Sequence, residues 1–300
     1  MSYAIGLDLG GTNIKGLAIT PSGHVLSEKV SSTGWISGRN WVKNVGRVRA
    51  DLEATLKSPP AWVGLAAPGL AAADHRSIAF MPERLPGLEN LDWQKNFKLS
   101  SAVPVLNDAH AALFGEVWRG CARGCHNVVL LTLGTGVGGA AIVDGHPLRG
   151  RIGRAGHFGH ISLNPEGAPD ITGTPGSLED AIGDSTLPMR SSGRFHSTRD
   201  LVAAVRKRDR EARQIWLASV RALAAGISSL INALDPEVVI LGGGITQAGS
   251  ALFLPLKAFL DKFEWRPSGA RARIVRAKLG DRAGAFGAAW QAIQANLHPL

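Results

Sequence analysis

Three glycine-rich segments follow predicted strands, and glycine turns of this kind allow a ligand to approach the backbone closely. They are Asp8-Leu-Gly-Gly-Thr12, Leu133-Gly-Thr-Gly-Val-Gly-Gly139 and Gly242-Gly-Gly244. Backbone N–H groups that converge in such turns bind anions, phosphate included. A tight turn explains any one segment, but three in one chain favour phosphate binding. The first two are more than 120 residues apart, which predicts two lobes that close on one phosphate chain.

Asp108 is the candidate general base. It follows a predicted strand at 103–106 and precedes a segment rich in helix-forming residues, whose N-terminus it can cap. A carboxylate held within hydrogen-bonding reach of a hydroxyl group can orient it and accept its proton. Capping alone would also explain an aspartate here. The two roles are compatible, because a capping carboxylate is held rigidly.

Strands and helices that would position these residues alternate along the chain. Apolar runs and turn residues predict strands at 3–9, 14–20, 24–30, 62–66, 103–106, 126–133, 137–143, 238–241 and 273–275. Apolar residues at helical spacing predict helices at 41–56, 109–118, 209–234, 252–263 and 283–297. Residues 145–175 are rich in glycine, proline and histidine, and we interpret them as a long functional loop. The pattern predicts an α/β protein.

The composition limits the class of protein. With 300 residues, 45% of them hydrophobic, the chain can bury the core of one large domain or of two ordinary ones. We find no signal peptide and no run of about 20 apolar residues, and therefore expect a soluble, cytoplasmic protein. Cys121 and Cys125 are the two cysteines, which excludes a disulfide framework and a four-cysteine zinc site.

The net charge of +9 favours an anionic partner. The positive residues are dispersed, and the densest cluster, at 206–213, also contains acids and is typical of a solvated helix face. Nucleic-acid binding is therefore disfavoured. A phosphate-rich substrate accounts for part of the charge.

Seven motifs occur in one order along nearly the whole chain: Asp8-Leu-Gly-Gly-Thr12, Asn107-Asp108-Ala109, Leu133 through Gly139, Gly159-His160, Leu178-Glu179, Asn232 through Gly244, and Gly280-Asp-Arg-Ala-Gly284. Their order and spacing resemble those of the ROK family of sugar kinases and related repressors. The resemblance implies an α/β, two-lobed actin-like ATPase (ribonuclease H-like) fold. It also implies a small lobe of residues 1–106, joined by a C-terminal helix at 282–300, and a large lobe of residues 107–281.

The resemblance also implies roles for residues at matching positions. Asp108 would be the general base, which orients a sugar hydroxyl, a poor nucleophile, and accepts its proton as the phosphoryl group arrives. ATP and Mg²⁺ would be the cofactors, with Asp8 holding magnesium through water, as suits a cation that keeps its hydration shell. The residues expected to bind the phosphates are Gly10, Gly11, Thr12, Gly134, Thr135 and Gly136. The nucleoside would lie against Gly242, Gly243 and Gly244. The residues expected to bind the sugar are Asn107, His157, His160 and Glu179.

The sequence departs from the family pattern in its predicted sugar site. It has His157-Phe-Gly-His160 where the family usually has Glu-x-Gly-His. A carboxylate accepts two hydroxyl protons, whereas neutral imidazole accepts one and donates one, so we expect a preference for a sugar other than glucose. The alternative is that His157 replaces glutamate without selecting a substrate. In addition, the stretch Pro82-Glu-Arg-Leu-Pro-Gly87 puts two charges, Glu83 and Arg84, near the same predicted pocket.

Two further expectations concern zinc and DNA. Many members of the family hold a structural zinc with one histidine and three cysteines. His160 matches the histidine, but the cysteine positions fall on Asp170, Thr172 and Ser177. Hydroxyl groups are poor zinc ligands, so no structural zinc is expected. Only two residues precede Tyr3, so we also expect no DNA-binding helix-turn-helix.

The sequence thus predicts an ATP- and magnesium-dependent kinase that phosphorylates a hydroxyl of a hexose or hexose-like sugar. We expect the partners to be the sugar and ATP, with no nucleic acid or membrane, and a homodimer is compatible with the resemblance. Two alternatives stay open. One is a non-catalytic sugar or nucleotide sensor, because part of the sugar site has changed. The other is a polyphosphate-dependent sugar kinase, which the positive charge makes conceivable.

Overall fold

The chain divides into two compact units in a computed structural model, which describes residues 2–34, 40–81 and 85–297. The first unit comprises Met1–Gly124, Arg149–Ala155 and Lys278–Leu300, and the second comprises Cys125–Leu148 and Gly156–Ala277. Glu83 and Arg84, which were expected near the sugar pocket, lie outside the described residues.

The first unit is built on a sheet of five strands. Its described strands are β1 (Ala4–Leu9), β2 (Asn13–Ile19), β3 (Val25–Ser32), β4 (Trp62–Ala67), β5 (Leu70–Ala71), β6 (Ile78–Phe80) and β7 (Val105–Asn107). Its helices are α1 (Asn40–Leu56), α2 (Trp93–Phe97), α3 (Asp108–Arg119) and the C-terminal helix, α9 (Ala283–Leu297). Strands β5 and β6 form a separate hairpin.

The second unit is built on another sheet of five strands. The strands are β8 (Val128–Leu133), β9 (Val137–Val143), β10 (His146–Pro147), β11 (Val238–Gly242) and β12 (Arg273–Arg276). The helices are α4 (Leu178–Ile182), α5 (Leu187–Arg190), α6 (Thr198–Arg206), α7 (Arg210–Leu234) and α8 (Ser250–Phe263). Helices α2, α4, α5 and α6 were not predicted from the sequence.

The two five-stranded sheets have the same topology. The strand orders are β3-β2-β1-β4-β7 and β10-β9-β8-β11-β12. In each sheet the first three strands in the order pair antiparallel, and the last two join them in parallel. The predicted α/β class is confirmed, with a meander of antiparallel strands opening each sheet.

Helix α9 packs on the first sheet at unusually short range. Gly6 and Gly64 are paired residues of β1 and β4. A Cβ on Gly6 would come within 1.9 Å of the Ala285 carbonyl oxygen, and one on Gly64 within 2.1 Å of the Ala288 carbonyl oxygen. The helix backbone therefore lies directly on the sheet, and the small residues of α9 make this approach sterically allowed.

Helix α3 belongs to the first unit, so that unit extends to Gly124 rather than to residue 106. The reason is its packing against α9. Phe114 and Trp290 have ring centroids 5.0 Å apart, and a Cβ on Gly287 would come within 1.7 Å of the Ala111 carbonyl oxygen. The two helices thus form one layer of the first unit.

Helix α7 is the core helix of the second unit. Its buried residues, among them Leu223 and Ile227, pack in one cluster with Val239 and Leu241 of β11. Within the described residues it is the one helix long and apolar enough to cross a membrane by length and composition, a property that the sequence survey did not detect. Half of its most apolar window is buried in the protein, as expected for a helix that covers a sheet.

Candidate active site

The carboxyl ends of three parallel strands bring the predicted residues of the first unit together. β1 pairs with β4, and β4 pairs with β7. Asp8 lies opposite Ala66 in this register, and Ala67 lies opposite Asn107. The first glycine turn and Asn107 therefore lie at one edge of the sheet, separated by a single strand. Ligands of open α/β sheets bind at this edge.

The first glycine turn is held by a residue outside the motif. Thr33 is fully buried. Its N–H donates to the Thr12 carbonyl at 2.8 Å, and its hydroxyl donates to the Gly10 carbonyl at 2.7 Å. No atom of the described residues lies within 4 Å of the position that a Cβ on Gly11 would take. The turn is thus fixed from one side and accessible at Gly11. No spacing in the sequence marks Thr33, because the fold alone brings it to the turn.

Asp8 lies among other charged side chains of the first unit. Burial, and then the charge of Asp108, raises the pKa of Asp8 to about 7, whereas Lys15 acts in the opposite direction. Lys15 also forms a salt bridge with Asp281 at 2.9 Å. The Asp8 carboxylate packs on Gly284, where a Cβ would come within 2.5 Å of it. Lys15 was missed in the sequence, although the predicted hairpin pairs it directly with Asp8.

Asp8 suits a magnesium ion that is bound through water. Within the described part of the chain, no group of three histidine, cysteine, aspartate or glutamate side chains could hold a metal ion directly. Magnesium keeps several of its waters and uses one or two carboxylates. The ionised form of Asp8 is disfavoured by burial and by a like charge, so a hydrated cation would stabilise it.

Asn107 caps helix α3, so the prediction that Asp108 caps it is wrong. The Asn107 side chain accepts hydrogen bonds from the N–H groups of Ala109 and His110 and donates one to the Gly69 carbonyl at 3.0 Å. Strand β7 extends through Asn107, one residue further than predicted, so Asp108 becomes the first residue of the helix. Asp108 is exposed.

The second and third glycine turns lie side by side in the second unit, because β8 and β11 are parallel neighbours. Gly243 has φ +84°, and a Cβ on it would come within 2.2 Å of the Leu133 carbonyl oxygen, so only glycine fits there. In contrast, no atom of the described residues lies within 4 Å of a Cβ on Gly134 or Gly244. Gly243 thus serves packing, whereas Gly134 and Gly244 leave the backbone accessible to a ligand.

Glu179 supports the second glycine turn. Its Oε2 accepts a hydrogen bond from the Val137 N–H at 2.8 Å, and a Cβ on Gly136 would come within 2.3 Å of the same oxygen. The Glu179 carboxylate therefore leaves no room for a side chain at Gly136, and this explains the glycine without any ligand. Sugar binding by Glu179 stays a prediction, and one carboxylate oxygen already has a protein partner.

Asp170 is the centre of a hydrogen-bond network among the loop positions that match the zinc ligands of other family members. Its carboxylate accepts from His160 Nδ1 at 2.8 Å, from the N–H and hydroxyl of Thr172 at 2.8 and 2.7 Å, and from the Thr174 N–H at 3.0 Å. Burial alone would raise the pKa of Asp170, but hydrogen bonds from His160, Thr172 and Ser177 outweigh it and hold the pKa well below its usual range. This donor-saturated carboxylate does not suit zinc.

The structure groups the predicted site residues by unit. Asp8, the Gly10–Thr12 turn, Asn107 and Asp108 belong to the first unit. The second unit contains the other two glycine turns, Glu179, His160 and His157, the last of which directly precedes the 3₁₀ turn at Phe158–His160. The sequence expectation that both sets act on one nucleotide and one sugar stays a prediction.

Comparison with known proteins decides the family, since the profile of the ROK family matches residues 4–295. The chain belongs to the ROK family. A glucokinase of Thermotoga maritima is 30% identical over 306 residues, which cover 95% of each chain. A ROK hexokinase of Thermus thermophilus is 28% identical, with a TM-score of 0.84 over 98% of this chain and 99% of that one.

A ROK family glucokinase of Streptomyces griseus, solved in complex with glucose and AMPPNP, is 27% identical, with a TM-score of 0.80 over 98% of this chain and 100% of that one. These similarities confirm the resemblance, the actin-like ATPase fold and the enzyme class: the ROK chain is a sugar kinase. They do not favour the alternative of a sensor or of a polyphosphate-dependent enzyme.

Proposed function

We infer that this ROK kinase transfers the γ-phosphoryl group of ATP to a hydroxyl of a hexose or hexose-like sugar in the cytoplasm, with magnesium. The observation that carries the inference is the edge of the first sheet. There an accessible glycine turn, the partly buried Asp8 and the exposed Asp108 lie at the carboxyl ends of parallel strands.

Asp108 is the proposed general base. Its carboxylate orients the acceptor hydroxyl and takes its proton as the phosphoryl group arrives. Its place in the first turn of α3 holds it in position, since Asn107 fixes that turn by capping it. Asn107 keeps one amide N–H beyond its bond to Gly69, and that N–H would bind a second hydroxyl.

The nucleotide would be held by backbone N–H groups. Gly10, Gly11 and Thr12 in the first unit, with Gly134 to Gly136 in the second, would bind the phosphates, and Gly242 to Gly244 the nucleoside. Magnesium, held through water by Asp8, supplies neutralisation of the phosphate charge when bound. His157, His160 and Glu179 would bind the sugar ring, with His157 in place of the usual glutamate selecting a sugar other than glucose.

The experiment is a coupled ADP-release assay with ATP or polyphosphate as donor and a panel of sugars, on wild type, Asp108→Asn and Asp51→Asn. Asp108→Asn keeps the size of the side chain and removes proton acceptance. We expect its turnover to fall by roughly 10²–10⁴ with little change in nucleotide affinity. Asp51 is an exposed residue of α1, and its variant should retain wild-type turnover.

Near wild-type turnover of Asp108→Asn would contradict the assignment of the base. Binding of ATP and sugar without turnover in wild type, across the whole panel, would contradict the proposed reaction. The panel also tests His157, because a kcat/KM for glucose near ~10⁵ M⁻¹s⁻¹, an ordinary enzyme value, would contradict an altered specificity.

A further inference from the structure

A small cavity with both apolar and polar lining residues lies wholly within the first unit, beside the proposed base. Its volume is about 110 Å³, which is room for several water molecules or for one carboxylate or phosphate group. It is lined by the segment after β5, by the start of α3 and by residues 149–153, with His75, Asn107, His110, Arg149 and Arg151 as its polar side chains.

Arg149 brings a positive charge to this cavity, and no carboxylate of the described residues pairs with it. The guanidinium is partly buried, and burial lowers its pKa. No carboxylate of the described residues lies within 4.0 Å of it. Its one side-chain hydrogen bond goes to Nε2 of His75. A guanidinium has five N–H donors and no acceptor, so four donors have no acceptor in the described part of the chain.

His75 is a second basic side chain that lines the cavity. Because Arg149 can only donate, His75 Nε2 must accept, and the ring proton lies on Nδ1. Burial, and then the charge of Arg149, lowers the pKa of His75, while the backbone at Val105 and Asp74 act in the opposite direction. Asp74 is exposed and accepts a hydrogen bond from the Arg76 N–H at 3.0 Å. Asp74 therefore balances the charge of the partly buried guanidinium poorly.

The segment that carries Arg149 is basic and closely packed on the first unit. Residues 149–155 contain three arginines and no acid. Gly153 has φ +81°, and a Cβ on it would come within 2.8 Å of the Ala71 carbonyl oxygen. This contact brings the segment against the strand that leads into the cavity. The cavity is thus bordered by a closely packed backbone segment, and two of its lining side chains, Arg149 and Arg151, are positively charged.

We propose that this cavity binds an oxyanionic substituent of the acceptor sugar, a carboxylate or a phosphate ester, with Arg149 as its principal ligand. A guanidinium binds either group through two parallel hydrogen bonds, and the bound charge would balance the one that Arg149 buries. The proposal rests on the proposed function, because Asn107 lines the cavity and Asp108 follows it directly. A substituent in the cavity would leave the sugar ring beside the base.

The test compares glucose, glucose 6-phosphate and glucuronate as acceptors at matched ionic strength, on wild type, Arg149→Gln and Arg123→Gln. Arg123 is an exposed residue of the same unit, so its variant controls for the loss of one charge. We expect one anionic sugar to have at least a tenfold higher kcat/KM than glucose. Arg149→Gln should lower that value by about 10–100-fold through KM, as expected for a charge-assisted bond. Its kcat/KM for glucose should change less than about twofold.

A second measurement does not depend on a folded variant. With AMPPNP saturating the nucleotide site, the preferred anionic sugar should raise the melting temperature of wild type, and equimolar glucose or sodium chloride should raise it less. Inorganic phosphate should compete with that sugar, because it presents the same oxyanion to Arg149.

The outcomes separate the two proposals. If no sugar is phosphorylated, the proposed function fails. If glucose is phosphorylated as well as either anionic sugar, or if Arg149→Gln affects charged and neutral sugars equally, the cavity assignment alone fails. Binding of inorganic phosphate through Arg149 without turnover of any anionic sugar also overturns it, since the anion would then be a free effector.

Discussion

Asp170 organises a loop that has little regular structure of its own. The hydrogen bonds that its carboxylate accepts come from the His160 ring, the Thr172 hydroxyl and the N–H groups of Thr172 and Thr174. Its bond to His160 Nδ1 leaves the other ring nitrogen of His160 as the one for a ligand. A single buried carboxylate therefore sets both the path of the loop and the orientation of His160, a residue predicted to bind the sugar.

The substitution Asp170→Asn tests this role. It should lower the free energy of unfolding by about 2–4 kcal/mol at pH 7, because the donors lose a charged acceptor in a buried place. The pKa of Asp170 is lowered in the folded protein, so its contribution is fully present above the unfolded value of about 4 and declines as the pH falls below it. The loss caused by the substitution should thus be smaller at pH 3 than at pH 7.

Urea unfolding at both pH values measures the difference, with Asp51→Asn as the exposed control. The KM for the sugar should also rise in Asp170→Asn, as His160 loses its fixed orientation. Equal stability of wild type and Asp170→Asn at pH 7 would contradict the role. So would a stoichiometric zinc in the purified untagged wild type, because the metal would then organise the loop.

At the scale of elements, the contact of α9 with β1 and β4 depends on the absence of two side chains. The substitution Gly64→Ala places a Cβ within 2.1 Å of the Ala288 carbonyl oxygen, so the helix must move away from the sheet. We expect a loss of about 1–3 kcal/mol in the free energy of unfolding, the usual cost of overpacking. Chemical denaturation measures it.

Gly46 offers a matched control in helix α1, because no atom of the described residues lies within 4 Å of a Cβ there. Gly46→Ala should raise the stability by about 0.5–1 kcal/mol, since alanine is the better helix former. Destabilisation of similar size by both substitutions would show that the close approach of α9 is not the cause.

The elements were predicted from the sequence where local patterning is strong. Strand β9 and helices α1 and α7 were located to within one residue, because apolar periodicity and flanking turn residues mark them. Helix α6 was missed, although Ser197 accepts a hydrogen bond from the Asp200 N–H and the Ser-x-x-Asp spacing resembles a capping box. The pairing of β7 with β4 decides where β7 ends, and no local signal could assign the cap of α3 to Asn107.

The sequence predicted the motif residues of the site. It did not predict the residues that reach the site from other parts of the chain. Asp8 and the glycine turns stand out in the sequence because each ends an apolar strand. Thr33 and Arg149 do not, since each reaches its partner only after the chain has folded over tens of residues. The roles of Asp108, His157 and the sugar ligands stay predictions that the substitutions above would test.

At the scale of the whole molecule, the first unit is assembled from three separate segments, whereas the second requires nothing beyond residue 277. A chain ending at Ala277 lacks α9, and with it the partner of β1, β4 and α3. We expect this truncated chain to keep a folded second unit and an unfolded first unit. Hydrogen exchange measured by mass spectrometry would then show protection in β8 and β11 and none in β1 and β4, compared with protection of all four in the full chain. Protection of β1 in the truncated chain would contradict this dependence.

The position of α9 also sets an order of events during synthesis. A ribosome adds ~5–20 residues per second, so α9 emerges roughly 10–60 s after the strands that it covers. Until then the apolar side chains of Ala4, Leu17 and Ile19, which pack against α9 in the finished protein, have no cover. The part of the kinase that is made first must therefore fold last, and it is this N-terminal sheet that a chaperone would have to protect on the ribosome.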